Sequence, residues 1–282
     1  MSGYPENSTQ CSGTGGLSPG ESPSGVGAKR IPRLPKPDAR LRAAADWVAP
    51  CGTCADIGCD HGRLGAVLLA EHRCQRLLAA DISPKALAKA QARIRSLGFA
   101  EQTFFAAADG LDALDALPDK RADTLCILGM GGDTVAQILL RGRQRLQGAT
   151  LILGAQTELY LARIAIQQIG YRLTDERIVQ AEGRLYLLMR AMPSEADTPP
   201  YDERQLLLGP CLLKTLPAEW RPWLVRKRRL LSTAVEAMQA ADRARDHERL
   251  AAALRELKYT EEALQALSVS EALKPGNGEA KP

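Results

Sequence analysis

The segment Ala55-Asp56-Ile57-Gly58-Cys59-Asp60-His61-Gly62 puts two glycines, two acids and a histidine where an apolar β-like run gives way to a helical one. Glycines let a backbone come close to a ligand, and the helix beyond them offers unpaired N–H groups to an anion, here a carboxylate. A dinucleotide turn would read G-x-G-x-x-G around a pyrophosphate. Here Cys59 and Asp60 follow Gly58, so the middle glycine is missing, and Asp56 and Asp60 would repel a pyrophosphate. Acids suit a ligand that carries an ammonium and a sulfonium. That favours S-adenosylmethionine over NAD as the cofactor.

Further acids recur at the ends of β-like runs. Asp81, followed by Ile82, comes about 20 residues after the loop, where a carboxylate accepts hydrogen bonds from ribose hydroxyls. Asp109-Gly110 ends the third run, at a position suited to an adenine amino group. A single strand-end acid is as readily a helix cap; three in succession at one sheet edge are harder to dismiss. After the fourth run comes Gly129-Met130-Gly131-Gly132, whose glycines leave room for a flat substrate and whose backbone can hydrogen-bond a base edge. The other reading of that segment is a tight strand-to-helix turn. The expected cofactor-binding set is Asp56, Gly58, Asp81, Ile82, Asp109, Gly110 and Gly129. The Asn/Asp-Pro-Pro-Tyr device for exocyclic amines is missing, and Cys126 lies inside a strand rather than past it. The site therefore suits direct transfer onto a lone pair.

Positioning these residues takes an alternating framework. Strands are expected at 53–57, 77–81, 102–107, 124–128 and 150–153, with helices at 64–71, 84–96, 133–141 and 158–169. Asp38 reads as the N-cap of a preceding helix that ends near Pro50, and Ser83-Pro84 as an N-cap with proline at the first helical position. Segments 171–179 and 184–190, separated by Ala181-Glu182-Gly183, read as an antiparallel hairpin. Alternating β and α implies a parallel sheet wrapped by helices, here a Rossmann-like α/β fold. Segments 220–244 and 246–267 read as two helices forming a coiled-coil hairpin. Its seams are Leu224, Arg228, Leu231, Val235 and Met238, and Leu250, Leu254, Leu257, Leu264 and Leu267 with one irregular step. The expected division is a tail at 1–30, a catalytic domain at 31–192, a helical domain at 204–268 and a tail at 269–282. Both tails read as disordered, the first from its Ser, Gly and Pro content.

The chain has 282 residues, 45% of them apolar, and a formal charge of +4, which leaves an anionic partner unrepelled. Seven cysteines without a secretory leader do not read as a disulfide framework, and no apolar run nears the roughly 20 residues of a membrane span. A cytoplasmic protein with reduced thiols is expected. Cys51-x-x-Cys54 with Cys59 and His61 has zinc-ligand types, but strand alternation would aim the two thiols apart. Buried thiols and no metal are the expectation. Trp220 and Trp223 read as core anchors, with base stacking as the alternative.

In order along 38–267, these features resemble the bacterial tRNA (adenine-22-N1)-methyltransferase family. The likeness rests on Ala55-Asp56-Ile57-Gly58-x-Asp60-His61, Asp109-Gly110-Leu111, Gly129-Met130-Gly131-Gly132, the Asp175-Glu176 to Tyr186 hairpin, and Gly209-Pro210. It implies a class I Rossmann-like methyltransferase sheet with a C-terminal α-helical hairpin, acting on adenine N1 in the D-arm region of tRNA. Gly154-Ala155-Gln156 stands where the family reads Gln-Pro-Asn, so either Gln156 substitutes from a shifted position or the substrate differs. On this reading Asp60, His61 and Met130 are the catalytic candidates, with Asp60 stabilising the cationic product base. Gly131 and Gly132 would contact the base, and Arg33, Arg40, Arg226 and Arg229, from two basic clusters, would hold tRNA phosphates. A monomer or weak dimer is expected. Two other readings stay open: a methyltransferase of this fold acting on another RNA or a small molecule, and a non-catalytic RNA-binding protein.

Overall fold

Strands whose side chains are apolar on both faces must be covered on both, and that dictates a layered arrangement. In the computed structural model, which describes residues 36–240 and 247–273, seven strands pair into one sheet. They are β1 (Cys51–Ile57), β2 (Cys74–Asp81), β3 (Thr103–Ala107), β4 (Thr124–Met130), β5 (Thr150–Ala155), β6 (Tyr171–Ala181) and β7 (Arg184–Pro193). Their order is β3-β2-β1-β4-β5-β7-β6, parallel through β5, with β7 antiparallel to both β5 and β6.

Alternation sorts the core into two clusters. Ala55, Ile57, Leu78, Leu125, Ile127, Leu151 and Leu153 meet α4 (Gly132–Arg141) and α5 (Leu159–Gln168) on one face. Cys54, Leu77, Ala79, Cys126 and Ile152 meet α1 (Ala39–Trp47), α2 (Arg63–Ala70) and α3 (Pro84–Ser96) on the other. The expected caps form: Asp38 accepts the Leu41 N–H at 2.9 Å, and Ser83 accepts that of Ala86 at 3.3 Å ahead of Pro84. Cys54 Sγ lies 3.9 Å from Cys126 Sγ between adjacent strands, and its hydrogen bond with Cys126, together with burial, pushes the Cys54 thiol well up.

Several boundaries differ from expectation. β4 runs on through Gly129 and Met130, because a register shift between Leu128 and Met130 lets the strand continue with its edge kinked. Residues 203–215 form two short helices, α6 (Glu203–Leu208) and α7 (Pro210–Thr215), too brief to show a period. The helical hairpin consists of α8 (Trp220–Ala240) and α9 (His247–Leu273), so residues 269–273 are helix rather than tail. Its seam also needs correction. Leu254 is 42% exposed and Arg228 is exposed, while Ala253 and Thr260 are buried. The α9 seam is therefore Leu250, Ala253, Leu257, Thr260, Leu264 and Leu267, an unbroken alternation of three and four that a search for leucines alone skips. Lys227 rather than Arg228 faces α9, where it pairs with Glu256. The expected first tail, the basic run of Lys29, Arg30 and Arg33, and residues 241–246 and 274–282 lie outside the described residues.

The C-terminal helices share the core of the α5 face through Leu208, Leu212, Trp220, Leu224, Leu264 and Leu267. Trp220 is fully buried, a core anchor as expected. One ion pair ties this junction. Arg163 on α5 and Glu176 on β6 have wholly buried side chains, with Arg163 Nε donating to Glu176 Oε1 at 2.9 Å and Nη2 in ion-pair contact with it at 2.8 Å without a hydrogen bond. Glu176 Oε2 also accepts the Cys211 N–H at 2.9 Å, and Arg163 Nη1 donates to the Leu206 carbonyl at 2.8 Å. Gly209 must be glycine here: its φ is +105°, and a Cβ would stand 2.6 Å from Glu176 Oε2. Removing one member of such a pair strands the other charge. Glu176→Gln is expected to destabilise the fold by roughly 3–5 kcal/mol in urea denaturation; a loss below about 1 kcal/mol would show that the pair does not hold the junction.

Candidate functional site

The parallel strands run outward from β1 in one direction to β2 and β3, and in the other to β4 and β5. Connections after β1 and β4 therefore depart to opposite faces and leave a crevice at the carboxyl edge. A cavity of about 680 Å³ occupies it, lined by Asp56, Gly58, Asp81, Ile82, Asp109, Gly110, Gly129, Met130, Asp60, His61 and Arg40, among others. Every expected cofactor residue and all three catalytic candidates line this one space. Gly131 and Gly132 do not: Gly132 is buried where a Cβ would meet the Glu158 carbonyl at 2.2 Å, so it is needed for packing. Arg226 and Arg229 are exposed on α8, away from the cavity lining.

The loop after β1 is held by β2. Gly58 and Cys59 donate their N–H groups to the Ala80 carbonyl at 2.8 and 2.9 Å, and Asp60 N–H donates to Asp81 Oδ2 at 3.0 Å. Asp81 Oδ1 accepts the Ser83 N–H at 2.8 Å. The amides of Gly58, Cys59 and Asp60 are thus spent inside the protein. Arg63, at the first position of α2 and in the cavity lining, adds a guanidinium whose geometry suits a carboxylate. Sequence reading missed it because one arginine after a glycine carries no pattern. Gly58 has φ +75°, and Met130 Cε would lie 2.2 Å from a Cβ there, so the methionine thioether rests directly on the glycine.

Each acid has its own environment. Asp56 is buried beneath the loop, and among the described residues no cation pairs with it. Burial pushes its carboxyl up to about 7, opposed by the Gly65 N–H and reinforced by the charges of Asp81 and Asp60. Asp109 stands at the N-cap position of the 3-10 turn Gly110–Ala116 without a side-chain capping bond, and its Oδ2 accepts a bond from Arg141 at 2.9 Å. Asp60 projects into the open side, its Oδ2 at 2.9 Å from His61 Nδ1, while His61 Nε2 lies 3.0 Å from Lys89 Nζ. With the lysine ammonium as donor, Nε2 accepts and Nδ1 keeps the proton that it donates to Asp60. Ile82 is 71% exposed at the lip, an apolar side chain that a flat ligand would cover. Gln156, whose N–H donates to the Met130 carbonyl at 2.9 Å, also reaches the cavity. Burial pushes the Cys59 thiol well above the usual thiol range.

The raised carboxyl has a consequence for stability. The folded chain keeps the Asp56 proton up to about pH 7, whereas the unfolded carboxyl releases it at an ordinary 3.8. The unfolded state thus holds fewer protons between these values, and the ligand-free protein loses stability as pH rises through that window, by up to roughly 4 kcal/mol. Urea denaturation at several pH values should show this slope in the wild type and a flatter one in Asp56→Asn. Equal slopes would contradict the buried, unpaired state of Asp56.

Residues 38–189 match the family model described as a methyltransferase domain. The tRNA (adenine(22)-N(1))-methyltransferase of Bacillus subtilis is 28% identical over 217 residues, which is 75% of this chain and 90% of that protein. The crystal structure of the B. subtilis M1A22 tRNA methyltransferase TrmK superposes with a TM-score of 0.74 at 25% identity, covering 81% of this chain and 99% of that one. M. capricolum TrmK, solved with S-adenosyl-homocysteine, shares the fold with a TM-score of 0.69 at 18% identity, over 81% of this chain and 97% of its own. With the family model spanning more than half of its length, and with the strand-end acids lining one crevice, the chain belongs to the methyltransferase-domain family.

Proposed function

We propose that the protein transfers a methyl group from S-adenosylmethionine to N1 of the adenine at position 22 in the D-arm region of tRNA. The observation that carries this reading is the meeting of strand-end acids with the open Gly129-Met130 edge and Gln156 around one cavity, in a chain similar to the B. subtilis tRNA methyltransferase over most of both lengths. The residues fit the cofactor. Asp56, buried without a cation, is suited to a ligand that brings its own ammonium and sulfonium charge. Each oxygen of Asp81 accepts a single N–H, which leaves lone pairs for ribose hydroxyls. Ile82 and Gly110 suit an adenine face, Asp109 its amino group, and Arg63 the carboxylate. Gly58 and Gly129 keep the walls low on either side.

Bound there, S-adenosylmethionine supplies a methyl group activated by its sulfonium. The chain's own task is alignment, because adenine N1 presents its lone pair in the ring plane and needs no strong base near neutral pH. Met130, resting on Gly58, limits the approach to one side. Asp60 faces the base and stabilises the positive charge that develops on it, and His61, fixed by Lys89, orients Asp60. Gly131 and Gly132, packed against Thr157 and Glu158, hold the turn that carries Met130. Arg40, Arg226 and Arg229, with Arg33 outside the described residues, bind phosphates, while the target nucleotide swings out of its stack. Residues 31–192 act as the catalytic domain and 204–268 as the helical domain. No helix among the described residues is long and apolar enough to cross a membrane; the protein works in the cytoplasm as a monomer or weak dimer.

Nucleoside mass spectrometry of tRNA after incubation with S-adenosylmethionine should show 1-methyladenosine, lost when adenine 22 is replaced. A different methylated nucleoside would move the substrate elsewhere within the family. Asp60→Asn should lower turnover at saturating cofactor about 100-fold with little change in KM for the cofactor; undiminished turnover removes Asp60 from the chemistry. Charge reversal at Arg226 and Arg229 should weaken tRNA binding and flatten its salt dependence. Unchanged affinity would mean that α8 does not touch RNA.

A further inference from the structure

A row of guanidinium groups lies on the face of the β6–β7 hairpin that α1 covers. Arg40, near the start of α1, lines the cavity and sits 5.1 Å over the ring of Tyr186. Its Nη1 is 3.4 Å from where a Cβ at Gly129 would stand. At the far end of α1, about 10 Å on at 1.5 Å per residue, the buried ring of Trp47 carries Arg177 at 4.8 Å and Arg190 at 5.8 Å. Strand alternation brings Arg184, Tyr186 and Arg190 to one face of β7, and Arg184 is exposed at the hairpin tip. β5 pairs with the later part of β7, at Met189–Ala191, so the Arg184 end overhangs the carboxyl edge where the cavity opens.

Acids facing this row are few. Asp38 lies 4.0 Å from Arg40 and Asp175 4.0 Å from Arg190, at the limit of an ion pair, and Arg190 Nε donates to Thr174 Oγ1. Arg177 has no carboxylate partner among the described residues. A guanidinium laid on an aromatic face is held in place while its N–H edge stays free for an anion. A bidentate fork at that edge matches phosphate oxygens. Loose surface arginines would lose side-chain entropy on binding; these have lost much of it already.

We propose that this row, from Arg190 and Arg177 across Trp47 to Arg40 and the Arg184 tip, is a preformed track for the sugar-phosphate backbone of the RNA substrate. It leads the strand flanking the target nucleotide to the cavity rim. The inference rests on the tRNA reading above and adds to it a surface on the catalytic sheet, separate from α8.

The experiment is tRNA binding to the full-length protein by fluorescence anisotropy across a salt titration, for the wild type, Arg177→Glu/Arg184→Glu and Arg177→Gln/Arg184→Gln. Calorimetry with S-adenosylhomocysteine on each protein serves as the check of an intact site. The expected result is a loss of tRNA affinity of about tenfold or more in the Glu variant, with a log–log salt slope shallower by roughly one to two in both variants, and S-adenosylhomocysteine binding unchanged. Affinity and slope equal to wild type overturn the track while leaving the tRNA reading intact. If the Glu variant also loses S-adenosylhomocysteine binding, the Gln variant decides by its slope alone. A wild-type protein that binds no tRNA overturns the reading and the track together.

Discussion

The reversal of strand order between β1 and β4 is the constraint from which the site follows. Two parallel strands whose next connections leave to opposite faces cannot close the gap at their carboxyl ends, so a crevice is obligatory there. Every group suited to the chemistry stands at that edge because its strand ends there: Asp56 on β1, Asp81 on β2, Asp109 just past β3 and Gly129-Met130 on β4. The crevice is kept open by small residues and kept in shape by internal bonds, chiefly the Ala80 carbonyl and the Asp81 carboxylate acting on the loop after β1. Those same bonds take the loop amides out of reach of a ligand. Among the side chains lining the crevice, the buried Asp56 and Arg63 at the start of α2 bring opposite charges to it.

A second constraint governs the C-terminal part. Glu176, Arg163 and the backbone after Gly209 form one buried polar knot that joins β6, α5 and the start of α7. Its polar atoms leave no room for a side chain at position 209. α5 and α7 thus pack against β6 from the face opposite α1.

Much of this was legible in the sequence where local chemistry and period agree. The strand-end acids, the Ser83-Pro84 cap and the hairpin around Gly183 follow from nearest-neighbour rules, and all occur as expected. The coiled-coil seam was legible only in part, since Ala253 and Thr260 are buried while Leu254 is exposed, and burial there depends on the partner helix rather than on hydrophobicity. The roles of single residues were least visible. Gly132 looks like a substrate-facing glycine in sequence, yet its space is taken by the carbonyls of Thr157 and Glu158, some 25 residues away. Arg63, Lys89 and Arg141 have no pattern of their own and become meaningful only through the cavity, His61 and Asp109.

The crevice between β1 and β4 suits S-adenosylmethionine, met by side-chain carboxylates, better than a dinucleotide met by loop amides. Titration calorimetry of the wild type and Asp81→Ala, with S-adenosylhomocysteine and with NAD, tests it most directly. One-site binding of S-adenosylhomocysteine to the wild type, its loss in Asp81→Ala and no heat with NAD are expected. Binding of NAD, or S-adenosylhomocysteine binding that survives Asp81→Ala undiminished, would contradict it.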